Sequence, residues 1–195
     1  GRIGIFPTCR ESAGPLACRL PRDGVTEIGL IGPGRVGQER AKLLPPEQYI
    51  LGPVLSSTFT SARRVTRLME RGEPTEDPAA FASSDVILLT LPDPAIAAVA
   101  DRLAQLPFSL TAKTVLHTSG VRDSSHLAAP AQRGAAVGSM HPLCVFQRPL
   151  LSFAGVHFTV EGDSKAASTA RKRIRDLDGE FQLVTAEQKI HHCGA

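Results

Sequence analysis

From Glu27 onward, short apolar runs alternate with stretches rich in Ala, Leu and Arg, the sequence form of repeated βα units. The runs are Glu27–Ile31, Tyr49–Ser56, Val86–Leu91, Thr114–His117, Ala135–Met140 and Val156–Val160. Each is apolar for most of its length rather than alternating, which predicts strands covered by helices on both faces. Pro53 falls inside the second run, where it removes a ladder donor, so a bulge or an early edge is expected there. A strand at Glu73–Thr75 is too short to assign from the pattern.

Helices are predicted in the gaps. Arg35–Leu44 ends against Pro45-Pro46, and Thr60–Arg71 ends at Gly72. Pro94–Leu106 has Asp93 as its expected N-cap and Pro94 at its first position. Ser125–Arg133 ends at Gly134, with Pro130 expected to shorten or kink it. Lys165–Leu177 carries five basic residues, which read as a solvated face. Residues 1–23 hold Pro7, Pro15 and Pro21 and show neither period, so they read as a poorly ordered extension.

Composition narrows the class. With 195 residues, 42% hydrophobic and 21% charged, the chain is long enough to bury one substantial core. No apolar run approaches the ~20 residues of a spanning helix, and the N-terminus lacks the form of a secretory signal. Cys9, Cys18, Cys144 and Cys193 show no paired C-x-x-C spacing, so neither a metal site nor a disulfide framework is expected. Reduced thiols suit a cytoplasmic protein. A net charge of +3, one Tyr and no Trp disfavour nucleic acid as a partner.

Candidate chemistry begins at Ile28–Gly37. Gly32, Gly34 and Gly37 form G-x-G-x-x-G after an apolar run and at the mouth of a helical stretch. In that context Gly32 permits the tight turn, Gly34 lets backbone approach a pyrophosphate, and Gly37 allows close helix–strand packing. Pro33, Arg35 and Val36 complete the turn, whose helix N-terminus offers unpaired N–H groups to an anion. An NAD site usually places Asp or Glu about 20 residues on, at the ribose 2′-OH. The equivalent stretch instead holds Ser56, Ser57, Thr58, Arg63 and Arg64 without a carboxylate. Hydroxyls beside a guanidinium suit a 2′-phosphate, so NADP is expected over NAD. The other reading of the two arginines is that they only solvate the following helix.

The glycine turn, Val86–Asp93, His117-Thr118-Ser119-Gly120, Gly138–Leu143 and Lys189–His192 follow one another in a characteristic order. As a set they resemble the Rossmann-like oxidoreductases that carry an uncharacterised helical C-terminal domain. Those are relatives of prephenate dehydrogenase, 3-hydroxyacid and 6-phosphogluconate dehydrogenases, and pyrroline-5-carboxylate reductase. The resemblance covers about Glu27 to Ala195. It implies a doubly wound α/β fold with a mainly parallel sheet, extra strands at one edge, and a truncated helical second domain. Residues 24–185 would be the NADP-binding domain and 186–195 the start of the helical one.

The resemblance also implies site residues. Leu91, Pro92 and Asp93 would pass near the nicotinamide-side ribose, with Asp93 equally suited to a helix cap. Ser119 and Gly120 would lie beside substrate, and His141 would be the acid/base at a strand end, where a histidine titrates near neutrality, with Ser119 as its hydrogen-bonding partner at the substrate. Lys189 would be an orienting cation, although the Asn expected four positions later is Cys193. His126, His157 and His191 fit no pattern. The implied function is hydride transfer between NADP(H) and a small substrate. A non-catalytic dinucleotide sensor and a deazaflavin-dependent NADP reductase are the alternatives. A homodimer would form mainly through the helical domain.

Overall fold

The computed structural model describes residues 24–144 and 152–193, and the extension expected over 1–23 lies outside them. The strands are β1 (Thr26–Ile31), β2 (Tyr49–Leu55), β3 (Glu73–Thr75), β4 (Val86–Leu89), β5 (Thr114–His117), β6 (Ala136–Pro142), β7 (His157–Gly162) and β8 (Glu180–Leu183). They form a single sheet in the order β3-β2-β1-β4-β5-β6-β7-β8. Pairing is parallel from β3 through β6, and β7 runs antiparallel to β6 with β8 parallel to β7. The helices are α1 (Arg35–Leu43), α2 (Phe59–Met69), α3 (Ile96–Ala104), α4 (Ala128–Gln132), α5 (Ser164–Asp176) and α6 (Ala186–Cys193).

The continuous apolar strands are explained by two cores, one on each face. Ile28, Leu30, Val86, Leu88 and Leu116 pack under α1, α2 and α5, with Ala41, Val65 and Ile174 opposite them. Their strand neighbours Ile31, Ile87, Leu89, Val115 and Val137 pack under α3 and α4, against Ile96, Val99, Leu103 and Leu127. With both faces covered, every position of β4 and β5 is buried and no alternation remains to be read.

Pro53 produces the bulge expected of it. Ile28 pairs with Leu51 but Leu30 pairs with Val54, so Gly52 and Pro53 together oppose Gly29 alone. The strand stays interior, between β1 and β3.

Several helix ends differ from expectation. α2 begins at Phe59 because Thr58 is its cap, with Oγ1 accepting from Ser61 N at 3.1 Å. It stops at Glu70, which adopts φ 54°, and not at Gly72. Arg71 N bonds back to Thr66 O there, satisfying the last carbonyls. Asp93 is not the cap of α3. It lies inside a 3₁₀ turn, Asp93–Ala95, whose cap is Pro92 and which receives no side-chain bond. The predicted Ser125–Arg133 helix is a 3₁₀ turn, Ser124–Leu127, followed by α4. Pro130 sits in the first turn of α4, where its missing N–H would have no intrahelical acceptor. β8 was not predicted, since three of its four residues are exposed and form no apolar run.

The basic stretch of α5 is mostly a solvated face as expected, with Lys165, Lys172 and Arg175 exposed, and Arg173 is the buried exception. Arg171 and Arg175 lie 5.2 and 5.3 Å from the Phe181 ring, and Arg173 is buried against Tyr49. Lys172 donates to Asp176, Tyr49 and Gln48.

Candidate dinucleotide and proton-transfer site

The carboxyl ends of β1, β2 and β4 meet where the strand order reverses, the place at which open α/β sheets leave a crevice. The glycine turn leaves β1 here, and its three glycines differ in what requires them. Gly32 takes φ +71°, and a Cβ on it would fall 2.0 Å from Leu91 Cδ2. Its carbonyl accepts from Gly34 N at 2.6 Å and from Thr90 Oγ1 at 2.7 Å, so Thr90 at the end of β4 pins the turn. Gly37 packs on the same threonine, since a Cβ there would lie 2.4 Å from Thr90 Oγ1. Gly34 is different. A Cβ on it would meet nothing closer than Thr90 O at 3.6 Å, an ordinary contact, and the residue is exposed.

The remaining turn residues follow from this geometry. Pro33 is buried, and its carbonyl accepts from Gln38 Nε2 at 2.8 Å. Arg35 and Val36 open α1, directing the helix N-terminus at the crevice. Leu91 is buried on Gly32, Pro92 is exposed and Asp93 half-buried beside them. At the end of β2, Ser56 is half-buried while Ser57 and Thr58 are exposed. Arg63 stands 5.9 Å over the Phe59 ring, and an open groove is lined by Thr60, Arg63, Arg64, Arg67 and Leu68.

A second group gathers at the ends of β5 and β6. His141 Nδ1 lies 2.9 Å from Thr118 O, so Nδ1 carries a proton and donates it to that carbonyl. The ring rests on Gly120, where a Cβ would come within 2.8 Å of Nε2. Ser119 is buried, and its Oγ accepts from Val121 N at 3.2 Å and Arg122 N at 2.9 Å. The serine hydroxyl therefore shapes the turn, and the histidine's bond goes to Thr118 in its place. Lys189 is fully buried, and its ammonium donates to Ser139 Oγ, two residues before His141 on the same face of β6.

His117 and Ser139 lie inside the motifs of the resemblance but carry no role there, and Glu161 lies in none of them. His117, the last residue of β5, is completely buried and accepts from Ser119 N at 3.2 Å through Nδ1. Its Nε2 lies 3.1 Å from Asp123 O. Burial first, and then the charge of Lys189, push its pKa down to about 3, so the ring is neutral and both its nitrogens are committed. Glu161 directly follows the apolar run Val156–Val160, and extending that run by one position would have paired it with Ser139.

Among the described residues, no group of three or more His, Cys, Asp or Glu side chains could hold a metal ion. None of their helices is long and apolar enough to cross a membrane.

A family model described as a Rossmann-like domain matches residues 14–142. Among solved structures, the chain superposes on a protein assigned as an NADP oxidoreductase from Bacteroides fragilis with a TM-score of 0.72 and 21% identity. That match covers 88% of this chain and 67% of the other. An arogenate dehydrogenase from Synechocystis gives 0.70 at 15% identity, covering 84% of this chain and 61% of its own. A prephenate dehydrogenase from Aquifex aeolicus, solved with hydroxyphenyl propionate and NAD+, gives 0.69 at 16%, covering 85% and 62%. The chain thus spans roughly three fifths to two thirds of these neighbours, which share its fold. No curated protein matches the sequence.

Proposed function

The chain belongs to the Rossmann-like domain family, and from that premise we propose that it is the dinucleotide-binding part of an NADP(H)-dependent oxidoreductase acting on a small substrate. Gly34 carries the reading. Folding requires Gly32 and Gly37, whereas a Cβ on Gly34 would meet only Thr90 O and Gly32 O, at ordinary contact distances of 3.6 and 3.9 Å. A missing side chain that no protein atom demands, at the mouth of α1, is what a pyrophosphate approaching the backbone needs. The fold neighbours described as NADP oxidoreductase and dehydrogenases agree with it.

Gly32, Pro33, Gly34, Arg35, Val36 and Gly37 would hold the pyrophosphate, and Leu91, Pro92 and Asp93 would flank the nicotinamide-side ribose. Ser56, Ser57 and Thr58 with Arg63 would take the 2′-phosphate, because no carboxylate stands there to repel it. When bound, the nicotinamide supplies or accepts the hydride. His141, with Nδ1–H held by Thr118 O, offers Nε2 to take or return the proton of the substrate heteroatom. Ser119 orders the turn beside it, and Lys189 contributes a cation behind the strand end. The rest of the substrate pocket and any dimer contact would come from the helical domain.

Thermal shift with matched concentrations of the two nucleotides tests the cofactor assignment. At 100 times Kd a ligand stabilises by about 2.7 kcal/mol, worth roughly 5–10 °C in a domain of this size. NADP(H) should give the larger shift, and Arg63→Ala should reduce it. An equal or larger shift with NAD(H) counts against the assignment. In the longer enzyme, His141→Asn should lower kcat by about 10² with NADP(H) affinity unchanged.

A further inference from the structure

Behind the candidate site runs a buried polar chain that hydride transfer does not use. Glu161 on β7 is 8% exposed, and its carboxylate accepts from three groups. Ser124 N donates to Oε2 at 2.9 Å, Ser124 Oγ to Oε1 at 2.6 Å, and Ser139 Oγ to Oε2 at 3.3 Å. Ser139 lies directly between Glu161 on β7 and His117 on β5 in the strand register, and Lys189 reaches it from α6. A carboxylate withdrawn from water costs stability that an apolar residue on this inner face would not, so its retention asks for a reason.

The connectivity supplies one. Ser124 is the first residue of the 3₁₀ turn that follows the Ser119–Asp123 loop. The loop's start is tied to β5 through Ser119 N on His117 Nδ1, and Asp123 O near its end lies against His117 Nε2. Glu161 fixes its end to β7 through both bonds of Ser124. Between these anchors lies Gly120, on which the His141 ring rests, and just before the first anchor stands Thr118, whose carbonyl accepts from Nδ1 of that ring.

We propose that Glu161 is a positioning residue for the site, holding the 119–124 loop through Ser124 so that His141 keeps one orientation and one tautomer. Its importance for catalysis rests on the reading of His141 as the acid/base, but the positioning itself is a property of the protein alone. Lys189 and Ser139 then serve as the hydrogen-bonded support of that carboxylate from the α6 side.

Nitrogen-15 spectra of the imidazole rings, recorded on the 195-residue chain at pH 8 without nucleotide, test the assignment. His117 and His141 signals are identified by their loss in His117→Gln and His141→Asn. The wild type should show His141 as a single Nδ1–H tautomer. Glu161→Gln keeps the size and loses the charge and one acceptor, and in the folded variant the His141 pattern should move toward tautomer averaging. A role confined to stability would lower the melting temperature and leave the folded-state ring pattern as it was. An unchanged His141 pattern in folded Glu161→Gln therefore overturns the proposal. If that variant does not fold, Ser124→Ala decides on the same criterion, since it removes one bond to the loop and leaves Ser139 and Lys189 in place. NADP(H) binding by the wild type is measured separately, and its failure would remove the cofactor reading without touching the ring spectra.

Discussion

Substituting Gly37 by Ala probes the junction on which the glycine turn depends. The new methyl would sit 2.4 Å from Thr90 Oγ1 and 3.0 Å from its Cβ and Cγ2. Thr90 is buried, and its hydroxyl donates to Gly32 O at 2.7 Å, so it cannot rotate away without giving up that bond. Overpacking of this kind costs about 1–3 kcal/mol, and leaving the buried Thr90 hydroxyl without its acceptor about 1–3 kcal/mol more, while Gly32 O keeps its bond from Gly34 N. Together roughly 2–6 kcal/mol would be lost from a total stability of about 5–15 kcal/mol. At about 2–4 °C per kcal/mol for a chain of this length, the melting temperature should fall by roughly 4–24 °C. Denaturant unfolding and thermal melts measure this directly, and a Thr90→Ala background isolates its cause. That second change removes the hydroxyl and Cγ2, so Gly37→Ala should then cost about 1 kcal/mol less or better, a coupling expected of residues in contact. A melting temperature within about 2 °C of wild type, or strictly additive costs, would refute the packing argument.

Other outcomes follow from the same structure. His117 is held neutral with a pKa of about 3, against about 6.5 unfolded, so the unfolded chain binds the extra proton between those values and stability falls as pH drops through that window. By pH 4.5 the loss from this group is about 3 kcal/mol, and His117→Gln should flatten the difference in urea midpoint between pH 7 and 4.5. An unflattened difference would mean the ring is not kept neutral. Glu70 holds φ 54° at the end of α2, so Glu70→Gly should relieve about 1 kcal/mol of left-handed strain and raise the melting temperature by about 2–4 °C. A lowered melting temperature would show that the Glu side chain compensates for its backbone. Arg173 is buried beside an apolar cavity, its pKa lowered by desolvation and its Nε without a hydrogen-bond partner. Arg173→Met should therefore change stability by less than about 1.5 kcal/mol, and a loss above about 3 kcal/mol would show that its bond to Thr169 O and its contact with Tyr49 outweigh desolvation.

The two halves of the candidate site differ in how legible they are, and the reason is physical. The nucleotide half is built from backbone. A positive φ at Gly32 and close packing at Gly37 restrict residue type locally, so the spacing is visible without knowing what packs opposite. The bulge at Pro53 was foreseeable for the same cause, because a missing N–H disturbs a ladder whatever the partner strand. Helix ends were less so: Glu70 supplies the left-handed residue that pattern reading assigned to Gly72, since tertiary packing tolerated the strain. Short elements such as β8 carry too few apolar positions to register at all.

The proton-transfer half is built from side chains that meet only after β5, β6, β7 and α6 have assembled. Lys189 has the sequence surroundings of a surface lysine on a polar helix, yet it is fully buried on Ser139, a residue 50 positions earlier. Glu161 and Ser124 are separated by 37 residues and are joined by two hydrogen bonds. No periodicity encodes such pairs, and the Glu161 pair depends on the antiparallel return of β7 against β6, the one break in the parallel pattern among the described strands. That reversal is what gives the His141 end a wall of its own. A parallel continuation would have pointed the carboxyl end of β7 into the crevice, whereas the antiparallel strand runs back and sets Glu161 beneath the 119–124 loop. The structural neighbours share the fold, whereas the contact of His141 with Gly120 and the bonds of Glu161 to Ser124 are particular to the side chains that this reversal brings together.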